Sequence, residues 1–332
     1  MIGYVIRRVL HMLPTLFLIS LVSFIVIQAP PGDMLTAKLA RLEEEMGQGR
    51  TGSREEIAAL RAKHHLDEPL VMQYLHWIGA IVLHGDFGDS FTYEMKVMDL
   101  FRNRLGMTFL LTLATLVCTW VVAIPLGIYS ATHQNQTSDY VFTLLGFLGV
   151  ATPNFLIALV FMFVQATVFE ASSVGGLLSP AFVGAPLSWA KAKDFLDHLW
   201  LPVVVIGSAG TASVMRIMRG NLIDVLTQQH IQTGRAKGLA ERVVVWKYGV
   251  RIAINPLISR LGLELPHLFS GAVVISIVLG LPTAGPIFLT ALTTQDMYLA
   301  GAFLLLSATF LLVGNLLADI LLAWVDPRIR YE

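Results

Sequence analysis

The chain has 332 residues, 23 basic and 23 acidic side chains, only 14% charged against 55% hydrophobic residues, and a mean hydropathy of +0.68. A soluble domain carries about a quarter charged residues, so this composition excludes an ordinary soluble enzyme and predicts an integral membrane protein; the balanced charge gives no ground for a nucleic-acid partner. The single cysteine, Cys118, excludes a disulfide framework, and inside an apolar run it reads as a small buried hydrophobe.

Arg7 and Arg8 precede an apolar run, Val9–Gln28. At 1.5 Å per residue, about 20 residues cross a hydrocarbon core of about 30 Å. The run is too long for a signal-peptide core and Ala29-Pro30-Pro31 is a poor cleavage site, so residues 1–28 are expected to form a cytoplasmic N-terminus and an uncleaved first span. Residues 29–106 are the longest polar stretch and are expected to be extracytoplasmic. Within them, Glu43–Glu45 begins a loop, Ser53–Lys63 has a capping-box helix start (Ser53, Glu56), and Leu70–Leu83 reads as an amphipathic or interfacial helix with Tyr74 and Trp77. His84–Ser90, HGDFGDS, is a Gly/Asp turn. His64-His65 has no cysteine and no third ligand at a useful spacing, so no metal site is assigned.

Residues 107–332 read as a membrane core with five further spans. Met107–Ser130 is the second, followed by a polar loop, Ala131–Asp139, without Lys or Arg. Tyr140–Phe169 is the third, interrupted by Thr152-Pro153-Asn154, which is either a packed kink or a pore-lining break. Glu170–His198 is an exterior loop with a short helix near Trp189–Leu196. Leu199–Met218 is the fourth span, and its Gly207, Ser208, Ala209, Gly210, Ala212 and Ser213 allow close helix approach. Leu257–Leu281 is the fifth, Pro282–Met297 an exterior loop, and Tyr298–Trp324 the sixth. Asn315 and Asp319 share a helical face near the inner interface and read as structural polar residues; Glu264 sits near the inner edge of the fifth span. No carboxylate lies at a midplane position, which counts against a proton-coupled transporter.

Between the fourth and fifth spans lies a basic segment. Arg216, Arg219, Arg235, Lys237, Arg242, Lys247, Arg251 and Arg260 stand there against Asp224 and Glu241. The positive-inside rule puts this loop, about residues 219–257, in the cytoplasm, together with both termini (Arg7, Arg8; Arg328, Arg330). A short helix from about Gln229 ends at Gly238, whose left-handed freedom suits a C-cap. A second helix, about Ala240–Ile254, carries Val244, Tyr248 and Ile252 on one stripe with Val245 beside it, and Pro256 stops it. Such an elbow fits a protein groove or an anionic lipid surface, and spacing leaves the choice open. The chain has no P-loop, HExxH, paired CxxC or GxSxG, so no catalytic or cofactor-binding residue is assigned.

QTGRAKGLAERVVVWKYGVRIAINP, residues 232–256, resembles the EAA loop of ABC-importer permeases, and more narrowly the B-type permease of the dipeptide/oligopeptide/nickel importer family. Gly238 and Pro256 have that family's eighteen-residue spacing. IRRVLHMLPTLFLISLVSFIV, LDEPLVMQYLHWI, GDFGDS, WLPVVV and GNLLADILLAWVDPRIRYE match its other typical segments in order. Two departures stand out: Gln232-Thr233-Gly234 replaces the EAA triplet, and Ser276–Gly285 lacks the family's usual Glu and the Gly at the second position of its PGLG, where Thr283 stands.

The resemblance implies an all-α, six-span type I importer architecture in the inner membrane. It implies a heterodimer with a C-type permease, two cytoplasmic ATPases that hold the ATP and Mg, an extracytoplasmic solute-binding protein, and surrounding lipid. It assigns ATPase coupling to Gln229, His230, Ile231, Gln232, Thr233, Gly234, Arg235, Ala236, Lys237, Gly238, Leu239 and Glu241, while Pro153, Asn154, Ser276 and Pro282 are the candidates for a pore or gate. The expected solute is an oligopeptide, with nickel complexes or oligosaccharides as alternatives. The competing readings are an ion-coupled secondary transporter and a membrane-anchored receptor or assembly protein.

Overall fold

The computed structural model describes residues 2–29, 59, 61–62, 65–169, 174–261 and 273–325. The Glu43–Glu45 loop, most of the Ser53–Lys63 helix, His64, Glu264 and the C-terminal Arg328 and Arg330 lie outside them. The described residues are mainly helical and divide into two compact units, Ile2–Gly106 with Ala284–Phe310, and Met107–Thr283 with the residues from Leu311 onward.

In the first unit, helix α1 (Ile2–Gln28) packs on α2 (Leu70–His84). Tyr74 and Trp77 of α2 face inward. They are buried against Phe24, and Tyr74 Oη shares a 2.8 Å hydrogen bond with Ser20 Oγ. Helix α2 is apolar on both faces, with Leu70, Val71, Leu75, Val82 and Leu83 exposed on the outward one. A two-stranded antiparallel ribbon follows, β1 (Asp89–Ser90) with β2 (Met95–Lys96). The fully buried Asp296 fastens this ribbon, accepting from Ser90 Oγ (2.7 Å), Thr92 N (3.0 Å) and Leu299 N (3.2 Å). Such a buried carboxylate is held by donors on each side.

Helix α3 (Val97–Thr132) begins ten residues before the expected second span. Val97, Leu100 and Phe101 are buried, and Phe101 sits 6.3 Å from Phe303, so packing draws a polar-looking stretch into the helix. Further along, Thr108, Leu111, Thr115, Thr119 and Ala123 form its inward stripe. Cys118 lies off that stripe beside Val117 and is exposed, contrary to the buried position expected.

Helices α4 (Thr137–Ala151) and α5 (Asn154–Thr167) meet at Thr152-Pro153 with a 98° bend. Proline has no N–H to continue α4, and Pro153 instead caps α5. The short exterior helix and the fourth span merge into one 38-residue helix, α6 (Trp189–Leu226). No breaker separates them, Ser188 Oγ caps the start, and Pro202 is accommodated inside. As the small-residue stripe predicted, α6 approaches its neighbours closely: a Cβ at Gly207 would lie 2.9 Å from Thr119 Oγ1, and Ala212 fits against Gly146 and Gly149 of α4.

After α6 come α7 (Gln229–Ala236) and α8, a continuous stretch of α-turn (Glu241–Val243), π-helix (Val244–Val250) and α-turn (Arg251–Ala253). Residues 255–261 are helical again. Pro256 is thus the second residue of that helix, a position where its missing N–H costs nothing. Helix α9 (Val273–Val278) packs on α5. Within the expected Pro282–Met297 loop lies α10 (Ala284–Thr293), formed because Ala284, Ile287 and Ala291 recur at helical spacing and are buried, with Phe288 stacked on Phe303 at 4.0 Å. Helix α11 (Met297–Val325) matches the sixth span. Asn315 and Asp319 on it are half-buried.

Among the described residues, four helices are long and apolar enough to cross a membrane, within α1, α3, α6 and α11; the bent pair α4–α5 makes a fifth if it is one span.

Candidate functional site

Helix α7 is held by one side chain. Ile231 is fully buried in a cluster with Met218, Leu222 and Val225 of α6 and Val244 and Val245 of α8. The other residues of α7 are exposed, save the half-buried Gly234. No side chain caps its N-terminus; Thr233 Oγ1 bonds Gln229 O at 2.9 Å, and Gln232 Nε2 reaches Leu226 O at 3.4 Å.

Its C-terminus is a Schellman turn. Gly238 has φ +75°, its N–H bonds Arg235 O (2.9 Å), and Leu239 N–H bonds Gly234 O (3.3 Å). The left-handed cap predicted at Gly238 is therefore present. A Cβ on Gly234 would touch Leu239 Cδ1 and Val244 Cγ2 at 3.7 and 3.8 Å, so the turn is also packed inside. Across it, Arg235 grips Glu241 with two hydrogen bonds, Nη2–Oε1 at 2.6 Å and Nε–Oε2 at 3.1 Å. The guanidinium hydrogen bonds hold the Glu241 carboxyl below its ordinary value and push Arg235 up.

The π-turns change the buried stripe of α8. A 3.6-residue period predicts Val244, Tyr248 and Ile252. Val244 and Val245 are buried as expected and Ile252 is half-buried against the same cluster, but with the wider π turns Gly249 and Ala253 are buried while Tyr248 and Trp246 face outward. A Cβ on Gly249 would meet Leu222 Cδ1 at 3.0 Å, which shows how tightly α8 lies on α6.

A second feature escaped the sequence reading. Arg219, ten residues before α7, was expected only to mark the end of a span, and Asp139 to end a loop. In the fold Arg219 Nε and Nη2 each lie 2.7 Å from the two oxygens of the buried Asp139. Ser130 Oγ and Asn135 N donate to the same carboxylate. This knot joins the end of α3, the start of α4 and the lower part of α6. An aspartate at the start of one apolar run and an arginine near the end of another were the available signals, but only the packing pairs them.

The pore candidates separate into two places. Pro153 and Asn154 form the bend itself. Ser276 is buried, with its hydroxyl accepting from Thr283 Oγ1 at 2.9 Å. Pro282 follows a second Schellman turn, in which Gly280 has φ +64°, Gly280 N bonds Ile277 O (3.2 Å) and Leu281 N bonds Ser276 O (2.7 Å). Against that turn lies a cleft of about 260 Å³ lined by Gln165, Gly175, His198, Trp200 and Leu279. The nearby Asp194 accepts from Ser179 N (2.7 Å) and Ser179 Oγ (2.5 Å).

Sequence comparison gives these features a context. Residues 123–331 match the model of the binding-protein-dependent transport system inner membrane component, and residues 1–112 match the N-terminal component of such systems. The chain is 35% identical to the oligopeptide transport system permease protein AppB of Bacillus subtilis (strain 168) over 334 residues, covering all of both chains. It is 31% and 30% identical, again over full length, to the oligopeptide transport system permease proteins OppB of Haemophilus influenzae and of Escherichia coli (strain K12). With both family models matched along its length and apolar helices to span a bilayer, the chain belongs to the family of binding-protein-dependent transport system inner membrane components, the permease subunits of ABC transporters.

Proposed function

We propose that this permease imports oligopeptides and meets a cytoplasmic ATPase through α7, the Gly238 turn and the start of α8. The observation that carries the reading is the build of the elbow: a short, polar, outward-facing helix, closed by a Schellman turn and fixed to the longest helix by Ile231. A piece held this way passes a push on its outer face into α6 rather than absorbing it. Residues Gln229, His230, Gln232, Thr233, Arg235, Ala236, Lys237 and Leu239 present the contact surface, and Glu241 braces it from behind. An eight-residue helix is small beside a standard interface of about 1,600 Å², so the exposed Trp246 and Tyr248 of α8 extend the docking face.

The topology we propose has six spans with both termini in the cytoplasm. The bent pair α4–α5 is the third span in chain order, and residues 255–261 and α9 stand at the two ends of the expected fifth, Leu257–Leu281. The partners in this reading are a second permease of the C type, two ATPases that hold ATP and Mg, and an extracytoplasmic solute-binding protein; the chain itself is non-catalytic. The relatives' names support peptides as the solute. Pro153 and Asn154, at the bend, stay candidates for the passage.

The test is ATP-dependent peptide uptake in proteoliposomes holding the whole complex, with Gln232→Cys used for crosslinking. Uptake lost on ATPase inactivation and crosslinks from position 232 to an ATPase are expected. Uptake by the chain alone on a proton gradient, or crosslinks only to lipid, would overturn the reading.

A further inference from the structure

The fold assembles a cluster that sequence spacing did not reveal. His65, in the turn before α2, Glu68, just before its cap, and His76, in its second turn, come together with one ligand atom of each within 4.8 Å of the others. His65 Nδ1 lies 2.7 Å from Glu68 Oε1, and His76 Nε2 lies 3.1 Å from Glu68 Oε2. The two imidazoles stack at 4.2 Å with their planes 10° apart, so one exposed ring turns about its own side-chain bonds when both bind one ion.

The support behind the cluster is already in place. Gln73 Nε2 donates to both Leu66 O (3.0 Å) and Glu68 O (2.8 Å), holding the turn against α2. Leu66 N bonds Arg61 O at 2.9 Å, and Arg61 Nε bonds Asp67 Oδ1 at 2.9 Å. His65 itself sits at φ +57°, in the left-handed region.

We propose that His65, Glu68 and His76 bind a divalent transition ion of the zinc type, which staples the turn before α2 to the second turn of that helix. Two imidazoles and a carboxylate are a zinc donor set, and a tetrahedral ion needs its donors about 3.3 Å apart, close to the two contacts already made. Imidazole selects this ion class over magnesium or calcium, which take oxygen. Three protein ligands leave one position for water. Because all three side chains are partly exposed, the ion exchanges with the medium. The ion takes the place of the direct contacts that the two ring nitrogens now make with Glu68.

The assembled complex, stripped with EDTA and titrated calorimetrically with Zn²⁺ alone, tests this. Wild type is expected to bind one Zn²⁺ per chain at a site whose affinity falls at least about tenfold in His65→Ala, Glu68→Gln and His76→Ala, by analogy with losses seen even for outer-shell changes. His84→Ala, at the far end of α2, is expected to bind as wild type. In wild type alone, Zn²⁺ is expected to slow amide exchange across residues 65–76, a readout that does not depend on any variant assembling. Equal Zn²⁺ binding by wild type and His76→Ala, no change in that exchange, or equal competition by Mg²⁺ overturns the proposal.

Discussion

Replacing Gly238 isolates the elbow's closure from everything around it. A Cβ at this position meets nothing within 4 Å, so a substitution there creates no clash. What it meets is the backbone: at φ +75°, an L-residue pays roughly 1–2 kcal/mol. Alanine is expected near the lower end of that range and β-branched valine at or above the upper end. Asparagine, which tolerates the left-handed region, is expected to cost only a few tenths of a kcal/mol. A cost of one or two kcal/mol is a factor of about 5–30 in a local equilibrium. Amide exchange of Gly238 and Leu239, whose N–H groups close the turn, should therefore accelerate by that factor in Gly238→Val and little in Gly238→Asn. If the turn transmits motion, substrate-stimulated ATP hydrolysis by the assembled complex should fall in the same order, Asn, Ala, Val, while membrane insertion is unchanged. Equal exchange in the valine and asparagine variants would refute the conformational argument. Graded exchange with unchanged coupling would refute the functional one.

Three further outcomes follow from the same geometry. Asp139→Ala leaves Arg219 facing a half-buried void and is expected to destabilise the permease by about 3–5 kcal/mol, read as a lowered thermal midpoint in detergent, whereas the Asp139→Ala/Arg219→Met pair should recover most of it; equal midpoints for the single and double variants would count against the knot. The Arg235–Glu241 grip has a definite pH sign. Glu241 is held below its ordinary 4.5, so its contribution is present above that value and is lost as pH falls through the lowered one. Both groups are well exposed, so the effect is only about 0.2–1 kcal/mol, visible as faster exchange of the Gly238 turn in acid that Glu241→Gln should abolish. Trp77→Ala, which empties the packing of α2 on α1, should cost about 3–5 kcal/mol, and a thermal midpoint equal to wild type would contradict the buried position of that ring.

Much of the elbow was legible because its signals are local. A glycine between a polar helix and an apolar one announces a C-cap, and the hydrogen bonds at Gly238 are those the motif demands. Tyr248 was misplaced because a period of 3.6 was assumed where the chain runs as a π-helix. That widening depends on how Gly249 and Val245 fit against Leu222 and its neighbours, and no stretch of α8 contains that information. Likewise α10 and the start of α3 read as polar connections until their buried faces, Ile287 and Phe101 among them, are seen to have somewhere to pack.

What the sequence determined by itself was the membrane class, the long spans, the Pro153 break and the Gly238 turn. Each rests on chain length, hydropathy, or the conformational limits of one residue. What only the tertiary structure decided was which polar groups meet: Asp139 with Arg219 eighty residues on, Asp296 with Ser90, and His65 with Glu68 and His76. In an apolar protein a few polar side chains must find partners or pay a heavy desolvation cost. Their choice of partner is set by how the helices pack, and spacing along the chain does not encode it.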